Sequence, residues 1–322
     1  MKTRNVYMAN ASYFGTTIDV EVIAVVDGDT VKIDLEGEPE NLRILTLDTE
    51  ESRPVPGKPY TPWGAAAKEE ATSFFPEGST ITVEFPGDEP VDTCLRRYRD
   101  NYGRPLVYIH KDGEDFQERM IQRGYSPYFT KYGYAHFESY HDRYIEAERQ
   151  AQADHIGVWD QIEANGQEMR NYDTLNAWWT LRAEIVESFR QAKASGVENL
   201  YDSRLDYAEL SDRIGDEVII FTELRNYRRT LGGDHAIVTI GSQSQPFKLF
   251  IPDAFETLDG ERILSLLTER YIAGEYDGQT IGRPRRSYAY VSGTVTRYPE
   301  PDGDPEIVVT SIDQIADQPP SN

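Results

Sequence analysis

Three short runs of β-forming residues, separated by turn signals, constrain this chain more than any other feature. Residues 17–26 carry Ile18, Val20, Val22, Ile23 and Val25, Asp27-Gly28 is a tight-turn pair, and residues 30–35 return. Partial alternation on either side of Asp-Gly is the short-range signature of a β-hairpin. A second turn at 36–40 leads to a third run at 42–47. A proline-rich loop (Pro54, Pro56, Pro59, Pro62) follows, and then residues 63–75, where Ala65, Ala66, Ala67 and Lys68-Glu69-Glu70 favour helix. Residues 80–85 are expected as a strand, as are 91–97 and 106–109 on either side of a turn at 100–104. Helices are expected at 115–123, capped by Gly124, and at 137–153. This order predicts a five-stranded barrel of OB type with helical additions.

The chain has 322 residues, enough for two cores of roughly 150 residues each. Residues 166–200 read as a connector. Leu175, Trp178, Trp179, Leu181, Ile185, Val186 and Phe189 fall at helical spacing there, which favours packing over a base-stacking role for the tryptophans. Beyond it, strands are expected at 217–224, 235–240, 247–251, 288–297 and 306–312. A helix is expected at 260–267 and a loop at 226–233. The fold class is therefore mainly β with helices (α+β), divided as a barrel over 1–160, a helical connector over 161–200 and a second OB-like barrel over 201–322.

Composition excludes some functions. No apolar run approaches the roughly 20 residues of a membrane helix, and the first twenty residues lack the apolar core of a signal peptide. A cytoplasmic protein, or a secreted one whose leader has been removed, is expected. Cys94 is the lone cysteine, so no intramolecular disulfide forms. Net charge is −23, spread over both halves, with eight lysines against 25 arginines. Such a surface does not hold nucleic acid by bulk counterion release; local arginines must make any phosphate contacts. An acidic, lysine-poor surface also suits a high-salt cytoplasm.

The chemistry sits at the strand ends. Asp29 lies in the first turn, and Asp48 follows the third run with Glu50 and Glu51 close behind. Aspartates from adjacent strand ends can share a hard cation, and oxygen ligands select Ca2+, Mg2+ or Mn2+ over zinc. The five histidines show no metal-ligand spacing. Arg43 falls mid-strand, where a charge needs a partner or a ligand. Arg104 follows a Tyr102-Gly103 turn that permits close backbone approach. A guanidinium fork matches two phosphate oxygens and stays charged when buried. The alternative for each arginine is a structural salt bridge to Asp48 or Glu51.

These residues carry a resemblance. Asp27-Gly28-Asp29-Thr30, then Arg43-Ile44-Leu45-Thr46-Leu47-Asp48-Thr49-Glu50-Glu51, then Asp100-Asn101-Tyr102-Gly103-Arg104 resemble the D-G-D-T, R-L-L-x-x-D-T-P-E and D-K-Y-G-R pattern of the staphylococcal nuclease family. The similarity runs over roughly residues 17–159. It implies an OB barrel that hydrolyses DNA and RNA at the 5′-oxygen–phosphorus bond, leaving 3′-phosphates. It also implies Ca2+ held by Asp29, Asp48 and the Thr49 carbonyl, with Glu51 activating water and Arg43 and Arg104 binding phosphate. Tyr102, with Tyr132 and Tyr134 as further candidates, would line the nucleotide site. Glu50 departs from the family proline and Asn101 from its lysine, and neither removes a catalytic group.

In the second half, Arg225, Arg228 and Arg229 fall in one expected loop, and Arg283, Arg285 and Arg286 just before a later strand. Beside Tyr227, Phe247, Tyr288 and Tyr290 they form a possible nucleic-acid face of an OB barrel, single strands preferred. The alternatives are a catalytically inactive nucleic-acid- or protein-binding module, and a second half that is structural. No protein partner is inferable, and no membrane association is expected.

Overall fold

The computed structural model describes residues 13–54, 60–160, 170–272, 274–276, 279–281 and 286–320. The chain divides into two compact units. One comprises Met1–Tyr98, Arg104–Phe129 and Ala135–Asp173; the other comprises Arg99–Gly103, Thr130–Tyr134 and Thr174–Asn322.

The first unit contains β1 (Thr17–Asp27), β2 (Thr30–Leu35), β3 (Glu38–Ile44), α1 (Pro62–Phe74), β4 (Thr80–Glu84), α2 (Val91–Arg97), β5 (Leu106–Lys111), β6 (Glu114–Asp115), α3 (Phe116–Gln122) and α4 (Glu138–Ala153). Its strands pair in the order β3-β2-β1-β4-β5-β6, and a parallel pairing of β3 with β5 closes the ring. This is the expected OB barrel. Alternation explains it: Val20 and Val22, Val31 and Ile33, Leu42 and Ile44, Ile81 and Val83, Val107 and Ile109 are all buried.

In this unit one expected strand fails. Residues 91–97 are not a strand but the helix α2. Pro90 precedes its first turn, and Val91, Cys94, Leu95 and Tyr98 repeat at three and four residues, with Cys94 and Tyr98 buried. Helical period outweighed the β-branched start.

A polar cluster ties β4 to its surroundings. The buried Glu84 carboxylate accepts from the Phe14 and Gly15 amides, from Tyr140 Oη at 2.5 Å, and pairs with His110 Nε2 at 2.8 Å. Burial alone would raise its pKa, but the His110 and Tyr140 hydrogen bonds and the two amides win, and it is held below the usual glutamate value.

The second unit draws on α5 (Tyr172–Ala194), β7 (Leu200–Asp202), α6 (Tyr207–Ser211), β8 (Glu217–Glu223), β9 (Tyr227–Arg229), β10 (Ala236–Gly241), β11 (Pro246–Ile251), α7 (Leu258–Leu266), β12 (Gly274–Tyr276), β13 (Gln279–Ile281), β14 (Tyr288–Tyr298), β15 (Asp304–Val308) and β16 (Ile315–Ala316). Its large sheet runs β7-β8-β14-β15-β11-β10-β9. The path leaves from β8 and returns to β9, and only residues 224–226 separate these two strands in sequence. Strand β11 pairs with β15 in parallel, as β3 does with β5. The second sheet thus repeats the pairing order of the first. The expected loop at 226–233 contains a strand, β9, because Tyr227 to Arg229 pair with Val238 to Ala236.

Helix α5 packs Ile185, Val186 and Phe189 into the second unit's core, and Trp179 is buried as well. Phe189 stacks on Phe221, and Phe221 on Tyr288, with centroids 4.5 and 5.1 Å apart. Arg182, on the same face, is 1% exposed and pairs with Glu223 at 2.6 Å. Trp178 is half-buried, with the Arg182 guanidinium 5.2 Å from its ring.

Candidate active site

The site of the first unit is built where the β1–β2 turn meets the chain leaving β3. Gly28 sits in that turn because a Cβ there would lie 2.8 Å from Thr49 Cγ2. Asp29 follows it. One of its carboxylate oxygens accepts from Thr30 Oγ1 at 2.9 Å and the other from the Thr49 amide at 3.3 Å. Burial raises the Asp29 pKa; Arg43 opposes the shift, and the nearby Asp48 and Asp27 charges add to it. A carboxyl 16% exposed, with two acidic neighbours, favours an additional cation.

Arg43 is the hub. One guanidinium nitrogen lies 3.0 Å from Asp29 Oδ2 and also donates to the Asp29 and Ile44 carbonyls. The other donates to the Leu47 carbonyl at 2.6 Å and lies 3.9 Å from Asp48 Oδ1. Arg104 reaches the same turn, donating to Thr30 Oγ1 at 3.3 Å.

The loop after β3 is clamped from several directions. The Asp48 amide donates to Ser126 Oγ at 2.9 Å. Helix α1 rests on the backbone of Glu51: a Cβ at Gly64 would fall 2.0 Å from the Glu51 carbonyl oxygen. Glu50 is buried and accepts a hydrogen bond from Tyr172 Oη, while Arg170 Nη1 pairs with Asp48 Oδ2 at 2.8 Å. Burial raises the Glu50 pKa despite Tyr172 and Arg170.

Asp29, Arg43, Asp48, Thr49 and Arg104 are therefore brought together, and Glu51 is fixed on the same loop. Among the described residues no group of three or more His, Cys, Asp and Glu side chains forms a metal cluster. The tyrosine candidates fall in segments of the second unit. Tyr102 and Tyr132 are exposed, and burial, then Glu184 and Glu187, raises the Tyr134 pKa.

A family model for staphylococcal nuclease homologues matches residues 41–161. A thermonuclease of Staphylococcus hyicus is 30% identical over 139 residues, 43% of this chain and 74% of its own length. The chain belongs to the staphylococcal nuclease family. Two Bacillus subtilis (strain 168) relatives, the SPbeta prophage-derived endonuclease YokF and the endonuclease YncB, are each 29% identical over 143 residues, 44% of this chain. The chain spans 44% and 62% of their lengths, under two thirds of either.

Arg170 and Tyr172 lie beyond the staphylococcal nuclease family match, which ends at residue 161. Sequence reading missed both. They follow the closing helix with no periodic signal, inside what reads as a connector.

On the second unit, Arg225 pairs with Glu223 at 3.0 Å and Arg286 with Asp317 at 3.2 Å. Arg228 and Arg229 are exposed on β9, and Arg229 lies 3.8 Å over the Phe255 ring. Arg283 and Arg285 lie outside the described residues. Phe247, Tyr288 and Tyr290 are core residues, so they stack on no base; Tyr227 is half-buried. No helix among the described residues is long and apolar enough to cross a membrane.

Proposed function

We propose that the first unit is a Ca2+-dependent phosphodiesterase that cleaves DNA and RNA at the 5′-oxygen–phosphorus bond and leaves 3′-phosphates. The observation that carries this reading is the meeting of Asp29, Arg43 and Asp48, within 3.9 Å along the chain of contacts, with Arg104 on the neighbouring Thr30. The donor set fits a hard cation: two carboxylates from adjacent strand ends, with the Thr49 backbone held against one of them. Bound there, Ca2+ would supply Lewis-acid polarisation of the phosphate.

The chain's own residues do the rest. Arg43 and Arg104 grip the non-bridging oxygens and meet the charge that builds as the phosphorus becomes five-coordinate. Glu51, its backbone pinned under α1, takes a proton from the attacking water at its carboxylate. Tyr102, Tyr132 and Tyr134 are proposed as nucleotide contacts.

The proposed division is a nuclease domain over 1–160, a connector over 161–200 and an accessory OB-like domain over 201–322. Single strands are its proposed ligand, held by Arg228 and Arg229 beside Tyr227 and Phe255. Arg225 and Arg286, each paired with a carboxylate, contribute less. Degradation of single-stranded DNA and of RNA, with Ca2+, with Mg2+ and with chelator, tests the reading. Ca2+-dependent release of 3′-phosphate ends is expected. Binding without cleavage in every condition would instead leave a binding module.

A further inference from the structure

The residues most in need of explanation are Glu50, Arg170 and Tyr172. Glu50 places a carboxylate, 2% exposed, between Asp48 and Glu51. An acid buried among acids is costly unless donors and cations answer it. Two groups from one short stretch do so. Tyr172, itself 2% exposed and set against the Trp159 ring at 5.5 Å, donates to Glu50. Arg170, whose guanidinium lies 5.3 Å from the Tyr172 ring, takes Asp48 Oδ2 at 2.8 Å. Counted together, Asp29, Asp48, Glu50 and Glu51 against Arg43, Arg104 and Arg170 leave a formal excess of one negative charge. The excess is the same without Glu50 and Arg170, so the added acid and the added base cancel.

We infer that Arg170 and Tyr172 complete this active site as positioning residues: Tyr172 holds the Asp48–Glu51 loop by its Glu50 handle, and Arg170 holds the Asp48 carboxylate and competes with a divalent cation for it. The inference rests on the nuclease reading above. Residues beyond the family match thus set both where Glu51 points and how tightly metal is taken.

The test uses the full chain and two readouts, calorimetric Ca2+ binding and steady-state cleavage of single-stranded DNA, with thermal melts as a check of fold. Arg170→Met removes the competing cation next to Asp48, and Ca2+ affinity rises by about tenfold or more. Arg170→Lys keeps the charge and stays near wild-type affinity. Tyr172→Phe strands a buried carboxylate without its donor; kcat falls by about tenfold at saturating Ca2+ while KM holds. Replacing Glu50 as well, in Glu50→Met with Tyr172→Phe, removes the stranded acid and restores much of the lost kcat.

Unchanged or weaker Ca2+ binding in Arg170→Met overturns the inference, and so does a double variant no faster than Tyr172→Phe. In either case a wild type that binds Ca2+ and cleaves leaves the nuclease reading standing. A wild type that takes up no Ca2+ overturns both.

Discussion

The two sheets share one strand order but not one chemistry. Each sheet holds a parallel pair, β3 with β5 and β11 with β15, and each has a residue with positive φ two positions beyond the earlier strand of that pair: Thr46 after Ile44 and Asp253 after Ile251. Aligned on that turn, Arg43 corresponds to Phe250. The strand registers then extend the correspondence, since Arg43 faces Thr30 and Leu106 while Phe250 faces Ile237 and Val308. Asp29 thus becomes Ala236, and Arg104 becomes Glu306. Asp48, five residues beyond Arg43, becomes Phe255. The strand order fixes where strand ends converge, and a few side chains decide whether acids and arginines or aromatic residues meet there. One strand order thus carries two different sets of side chains.

The largest effect should come from Glu51→Ala, which lowers kcat about 10²–10⁴-fold, the usual worth of a general base. Phe250→Ala, at the counterpart of Arg43, should leave cleavage unchanged; a comparable loss in both would break the comparison. Next, Arg182→Met leaves Glu223 buried without its main cation and should cost about 3–5 kcal/mol. Urea unfolding followed by separate probes of the two units should show the loss in the second unit alone.

Gly64→Ala should come third. Alanine ordinarily strengthens a helix, but here its Cβ meets the Glu51 carbonyl, and a displaced base costs up to about 10²-fold in kcat.

Smaller effects sharpen the contrast. Glu84 in the first unit and Glu223 in the second are both held below the ordinary glutamate value of 4.5. For Glu223, burial pushes upward and Arg182 and Arg225 prevail. A lowered carboxylate stabilises fully above its unfolded pKa and loses that contribution as pH falls through the folded one. Glu84→Gln should therefore flatten the acid limb of the first unit's melting curve below about pH 4.5, and Glu223→Gln that of the second. The smallest effect is at Arg228 and Arg229. Replacing both with alanine should reduce the salt slope of single-strand binding by about 1.4 and leave kcat alone.

Much of this was legible in the sequence, and for physical reasons. Period-two burial and turn pairs such as Asp27-Gly28 are local, so the barrel strands could be read directly. Asp29, Arg43, Asp48 and Arg104 each sit at a strand end or turn, so the strand order alone brings them together. Residues 91–97 misled because Val91 and Thr93 favour strand while Cys94, Leu95 and Tyr98 keep helical spacing. Tyr288 and Tyr290 suggested a stacking face, but β14 buries them under α5. Arg170 and Tyr172 could not have been found, since their meaning lies in a contact 122 residues away, between Tyr172 and Glu50.

The most direct test of the central claim is release of acid-soluble nucleotide from single-stranded DNA by the wild type and by Asp48→Asn, each with Ca2+ and with chelator. The account predicts cleavage only by the wild type and only with Ca2+. Equal cleavage by Asp48→Asn, or cleavage in chelator, would contradict it.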